Sequence, residues 1–205
     1  VYTNNPYAGA MRGFGATQMP IAYEQQMDIL AEKLGLDPIS IRMKNIFEKG
    51  SITATGQVLS ESIPLRECME KVVEQMDFNS EEDKDQGKKR GIGIGLSFYG
   101  TGYGNGFPDI SRAKVRLEDK GKVGIYVGAT EVGQGAKTAL LQIGAEVLSI
   151  SSKDIIFISE DTSLMPDAGT AAASRQTYNT GNAIRIACEN FKNKLMDIAC
   201  KELNL

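Results

Sequence analysis

The chain has 205 residues, 41% hydrophobic and 24% charged, which suits one large or two small globular domains able to bury a core without disulfide or metal staples. Lacking histidine, it has no Ser-His-Asp triad, no Cys-His dyad and no His-ligated zinc site. A net charge of −3 argues against nucleic-acid binding, no apolar run nears the roughly 18 residues of a membrane span, and three cysteines without a CxxC spacing (Cys68, Cys188, Cys200) read as reduced cytoplasmic thiols.

The first residue is Val1, so the chain reads as a piece of something longer. Residues 1–19 are rich in loop formers: Asn4, Asn5, Pro6, Gly9, Gly13 and Gly15. From Pro20, the recurrence of Tyr23, Met27, Leu30 and Leu34 predicts a helix, with Gly35 as its C-terminal glycine. Asp37-Pro38 is a cap followed by proline at the first helical position, and Ile39, Met43 and Ile46 make a second short stripe. Residues 50–62 read as irregular or short-stranded. Pro64 opens a third helix through Leu65, Cys68, Met69, Val72, Val73 and Met76.

Asn79 to Arg90 is almost wholly polar and reads as a solvated linker. A boundary there divides the chain into residues 1–88, a loop plus helices, and 89–205, strands and helices. The second half opens on Gly91 to Phe98, whose alternation predicts a strand with glycines on one face. A Gly-rich loop, 100–106, follows. Ser111 to Leu117 and Lys122 to Val127 predict a strand pair turning at Asp119-Lys120-Gly121. Ala136 to Leu148 reads as a helix, Ile155 to Ile158 as a buried strand and 160–182 as loop. A last helix carries Ile184, Cys188, Phe191, Leu195 and Ile198. Helices followed by a βββαβ-loop-α block predict an α+β fold with a mixed sheet.

Three segments combine small residues with directed polar groups: Ala10 to Gly15, Glu131 to Gly135, and Gly169 to Thr177. Each suits an extended polar ligand approached by backbone N–H groups. Gly133-Gln134-Gly135 at a strand-to-helix junction also reads as an anion site at a helix N-terminus. Simple nucleotide binding is disfavoured: no glycine triple satisfies GxGxxG, and Ala136 separates Gly135 from Lys137-Thr138 where a P-loop needs them adjacent. Arg12 and Arg175 each suit a surface ion pair or a fork on a polar cofactor edge. Phe14, between two glycines, suits a core position or an exposed stacking face.

Met11-Arg12-Gly13-Phe14-Gly15, a following helix with Glu24, Arg42-Met43-Lys44-Asn45, Glu131 to Gly135, and the Pro166 to Gly181 loop resemble, in order and spacing, the molybdenum hydroxylases. These are the relatives of xanthine dehydrogenase, aldehyde oxidase and carbon monoxide dehydrogenase. The resemblance covers essentially the whole chain. It implies parts of two molybdopterin-binding domains and a molybdenum–molybdopterin cofactor, or its cytosine dinucleotide, with no direct side-chain ligand to the metal. It implies that Arg12, Gln134 and Ala173 contact the cofactor, with Met11, Gly133, Gly135 and Ser174 beside it. Phe14, Tyr103 and Gly104 would face a purine, another N-heterocycle or an aldehyde. It further implies 2Fe-2S and FAD domains or subunits as partners, and a base, a glutamate, beyond Leu205. On that reading the piece alone is inactive. Read without the resemblance, the chain is a non-catalytic Gly-rich binding or assembly module using loop 100–106; an ATP-dependent enzyme with a degenerate P-loop at 128–138 is a third reading.

Overall fold

The structure, a computed structural model, describes residues 2–7, 9–76, 91–104 and 106–204, so the polar run 79–90 and the boundary expected at 88/89 lie outside the described residues. The chain divides into two units, Val1–Phe98 and Tyr99–Leu205.

In the first unit, α1 spans Met19–Leu34 and stops where Gly35 takes a left-handed conformation (φ 65°) that most side chains resist. The Leu36 N–H then reaches back to the Ala31 carbonyl at 2.9 Å. Asp37 caps α2 (Pro38–Asn45) by accepting from the N–H groups of Ile39 and Ser40, both at 2.9 Å. Arg42 on α2 is buried, 1% exposed, and binds α1 twice, to Glu24 Oε2 at 2.7 Å and Asp28 Oδ1 at 2.8 Å. That burial is tolerable because both charges are paired and the guanidinium also reaches the Pro38 and Glu24 carbonyls. A single bridge, Ile52 with Val58, is all the strand structure in 50–62, and α3 runs Leu65–Gln75.

The second unit is a three-stranded sheet covered by two helices. Strands β1 (Lys114–Leu117) and β2 (Val123–Tyr126) pair antiparallel across a 3-10 turn at Asp119–Gly121. β2 pairs parallel with β3 (Ile155–Ile158), and the crossover between them is α4 (Ala136–Leu148). Every residue of the central strand β2 is buried. Ala136, Leu140 and Gly144 recur every four residues along the buried face of α4. Gly181, Ile184 and Cys188 do the same at spacings of three and four on α5 (Gly181–Leu203). Together Ile125, Val127, Leu140, Ile155, Ile184 and Cys188 form the core.

Three predicted elements differ from those observed. Residues 91–98 form no strand: three of the eight are glycine, a weak strand former, and no described residue offers them a ladder partner. The sheet therefore has three strands, and β1 starts at Lys114 rather than Ser111. The 160–182 stretch is not loop throughout. Arg175 and Gly181 both have right-handed helical backbones, so a π-helical turn, Gln176–Thr180, runs straight into α5. No described helix is long and apolar enough to cross a membrane.

Candidate functional site

In an open sheet, ligands gather beyond the carboxyl ends of parallel strands. The chain leaving β2 forms the loop Ala129–Gly135 there, ahead of α4. Gly133 (φ 95°) and Gly135 (φ 81°) are both left-handed, and the space where a Cβ would stand is open at each. Between them the chain turns around Glu131. One carboxylate oxygen accepts from Gly133 N at 2.7 Å and Gly135 N at 3.0 Å, and the other from Lys137 N at 2.9 Å. These N–H groups, Lys137 first and Gly135 next, hold the Glu131 carboxyl below its usual range. At the anion site read from Gly-Gln-Gly, Glu131 itself takes the Gly135 and Lys137 N–H groups at the start of α4.

Gln134 is directed inward along this loop. Its Nε2 donates to the Thr130 carbonyl at 2.8 Å and to Gln176 Oε1 at 3.0 Å, while its Oε1 accepts from Val132 N at 2.6 Å. Gln176 opens the π-turn, directly after the second loop. In that loop Ala173 (φ 51°) and Ser174 (φ 55°) hold left-handed conformations that cost a non-glycine residue about 1 kcal/mol or more each. Among the described residues, the N–H groups of Ala171, Ala173 and Ser174 have no acceptor. Arg175 is no surface ion pair and no ligand fork. It is 1% exposed, paired with Asp109, and donates to the carbonyls of Ala168, Thr170 and Ile110 at 2.9 Å each. Gly102 N donates to the Ala173 carbonyl at 2.8 Å, which brings Tyr103 alongside. The Tyr103 ring packs edge-on against Phe107, centroids 5.1 Å apart, with the Arg175 guanidinium 6.0 Å from its centre. Gly104 (φ 88°) follows with open space above it.

The first unit carries Met11, Arg12 and Phe14 on consecutive tight turns. Phe14 N bonds the Met11 carbonyl at 2.8 Å and Ala16 N the Gly13 carbonyl at 3.0 Å. Gly13 (φ 98°), Phe14 (φ 51°) and Gly15 (φ 96°) are all left-handed. For an aromatic residue that is strained, and the result is a ring 82% exposed, which settles Phe14 outside the core. Met11 and Arg12 are exposed too, and no ion pair ties Arg12 to another described residue.

Gln134, Ala173, Ser174, Tyr103 and the flanking glycines therefore share one unit and one neighbourhood; Met11, Arg12 and Phe14 stand in the other. The donor set is neutral amide and main-chain N–H, on backbone with no side chain in the way. It fits a polar, oxygen- and nitrogen-rich group held by hydrogen bonds. Among the described residues no cluster of three or more Cys, Asp or Glu could hold a bare metal ion. Two residues that shape this neighbourhood escape a reading of motifs: Glu131, which folds the first loop, and Gln176, which joins it to the second. The one available signal was an acidic residue six positions before the second residue of a helix, with glycines between.

A family model described as a molybdopterin cofactor-binding domain matches residues 67–205, and a second of the same description matches 1–46. A xanthine dehydrogenase molybdenum-binding subunit of Escherichia coli, itself described as putative in strain K12, is 36% identical over 203 residues, covering 95% of this chain and 27% of the relative. An aldehyde oxidoreductase of Megalodesulfovibrio gigas is 35% identical, covering 93% of this chain and 21% of the relative. Among solved structures, the aldehyde oxidoreductase of Desulfovibrio desulfuricans superposes with a TM-score of 0.78 at 38% identity, covering 88% of this chain and 20% of that one. The chain thus spans about a quarter of the length of the curated relatives it matches.

Proposed function

The chain belongs to the molybdopterin cofactor-binding domains of the xanthine dehydrogenase and aldehyde oxidoreductase family, and from that membership we propose that it builds part of the cradle for a molybdenum–molybdopterin cofactor. The observation that carries this reading is the family match over 67–205, which contains both donor loops. Gly133-Gln134-Gly135 and Ala173-Ser174 are the cofactor-binding residues of the second unit; Met11 and Arg12 are those of the first. The metal takes no side-chain ligand from this chain. When bound, the cofactor supplies the two-electron chemistry for which these side chains have no equivalent.

The chain's own groups bind and orient. The N–H groups of Ala173 and Ser174, without an acceptor among the described residues, offer hydrogen bonds to a polar edge, and Gln134, its two donors engaged within the protein, offers the second lone pair of its Oε1. Arg12 offers a planar fork. Phe14, its ring exposed, and Tyr103, beside Gly104, offer flat faces for an electron-poor ring or an aldehyde. The cofactor is molybdopterin or its cytosine dinucleotide, and 2Fe-2S and FAD domains or subunits carry electrons away. The general base comes from outside these 205 residues. Purified alone, the chain should therefore turn over neither purines nor aldehydes. Assay with each, by absorbance of an artificial electron acceptor, checks this; measurable turnover defeats the claim.

A further inference from the structure

The two donor loops meet through a single pair of side chains, Gln134 and Gln176, 42 residues apart in sequence. Both amides also converge on one carbonyl: Gln134 Nε2 reaches the Thr130 oxygen at 2.8 Å and Gln176 Nε2 reaches the same oxygen at 3.3 Å. A primary amide has two N–H donors, and both of those on Gln134 are committed, one to Thr130 and one to Gln176. Its carbonyl is held by Val132 N. Without the Gln176 acceptor, one donor is released and the amide keeps only its bonds to Thr130 and Val132.

Gln176 is well placed to do this holding. It is the first residue of the π-turn, a rare geometry found mostly as single turns at functional sites. Its neighbour Arg175 is immobilised by Asp109 and three carbonyls. Gln176 therefore stands on a rigid base, while Gln134 sits on a loop of left-handed glycines.

We propose that Gln176 is a positioning residue: it orients the Gln134 amide and fixes loop 129–135 against the 169–176 segment. The consequence for the cofactor rests on the function proposed above, but the amide coupling does not. The test has two arms. In the 15N-labelled 205-residue chain, the Gln134 side-chain amide protons should exchange with solvent more slowly than those of exposed Gln57. Gln176→Met should accelerate Gln134 about fivefold, the scale of one lost hydrogen bond, with the backbone amides of α4 unchanged. Gln176→Glu, which keeps an acceptor for Gln134 but loses the donor to Thr130, should restore part of the slow rate. An unchanged Gln134 rate in Gln176→Met overturns the proposal. If that variant does not fold, Gln176→Asn, one methylene shorter, is read at the same Gln134 amide, where the same two outcomes decide.

The second arm is molybdenum content after expression in a molybdopterin-producing host. Gln134→Ala, Gln176→Ala and the double variant should lose molybdenum equally, because one acts through the other; additive losses overturn that route. If the unaltered chain takes up no molybdenum, the cofactor reading fails, while the exchange arm still decides the amide pair.

Discussion

Cys188 has no exposed surface among Ile125, Leu140 and Ile184, and desolvation, with the Glu189 charge second, pushes its thiol up to about 11. At pH 8 only about one such thiol in a thousand is ionised, so it is a poor nucleophile as well as a shielded one. Iodoacetamide on the folded chain should label exposed Cys68 and Cys200 and leave Cys188 unmodified by mass spectrometry; labelling of all three at equal rates would refute this. Glu131 gives a pH dependence of definite sign. Its folded pKa is lowered, so its contribution is complete above the unfolded value near ~4.3 and is lost as pH falls through the lowered one. Glu131→Gln should speed hydrogen exchange at Gly133, Gly135 and Lys137 at pH 7. Equal protection in both proteins would show that the carboxylate does not hold the loop. The burial of Cys188 was legible because the stripe of α5 passes through it. The role of Glu131 was not, because it depends on two glycines turning left-handed, which spacing alone does not state.

At the scale of elements, glycine decides how closely the ligand loops approach the sheet. Gly128 follows β2, and its N–H bonds the Pro166 carbonyl at 3.1 Å. A Cβ there would stand 2.9 Å from that oxygen and 3.4 Å from Ala168 N, both backbone atoms that cannot rotate aside. Gly128→Ala should lower stability by about 1–3 kcal/mol in urea denaturation, as overpacking does. Gly91→Ala, with open space around it, should change little and serves as the control. The predicted helix Ala136 to Leu148 is the observed one because it carries a clear helical period, and the strand Ile155 to Ile158 has its predicted bounds as a short β-branched run, although Ile156 is exposed where a buried strand was expected. Gly91 to Phe98 has the strand period too, yet a strand exists only if a neighbour pairs with it, and pairing is not written in one segment. The π-turn escaped for a related reason: Gln176 to Thr180 carries no apolar stripe, and its helical backbone follows on from the buried Arg175.

At the scale of the molecule, exposed apolar side chains such as Ile21, Leu34, Met196 and Leu203 are numerous for a chain of ordinary hydrophobic content. The order of motifs was legible and led to the family; the meeting of loops through Gln134 and Gln176 was not, since it joins residues 42 positions apart. By composition the polar run 79–90 reads as a linker between the first-half helices and the second-half sheet, and its sequence contains the trypsin sites Lys84, Lys88, Lys89 and Arg90. Limited digestion should cut there first and leave two resistant fragments. First cleavage inside Lys114 to Leu148 would contradict a division at that run. One detail of the first donor loop bears on how such a protein meets the cell. Because Glu131 already supplies the negative charge that α4 attracts, the ubiquitous small anions, phosphate and sulfate, find this helix end taken. The loop thus acquires its shape from its own counter-ion.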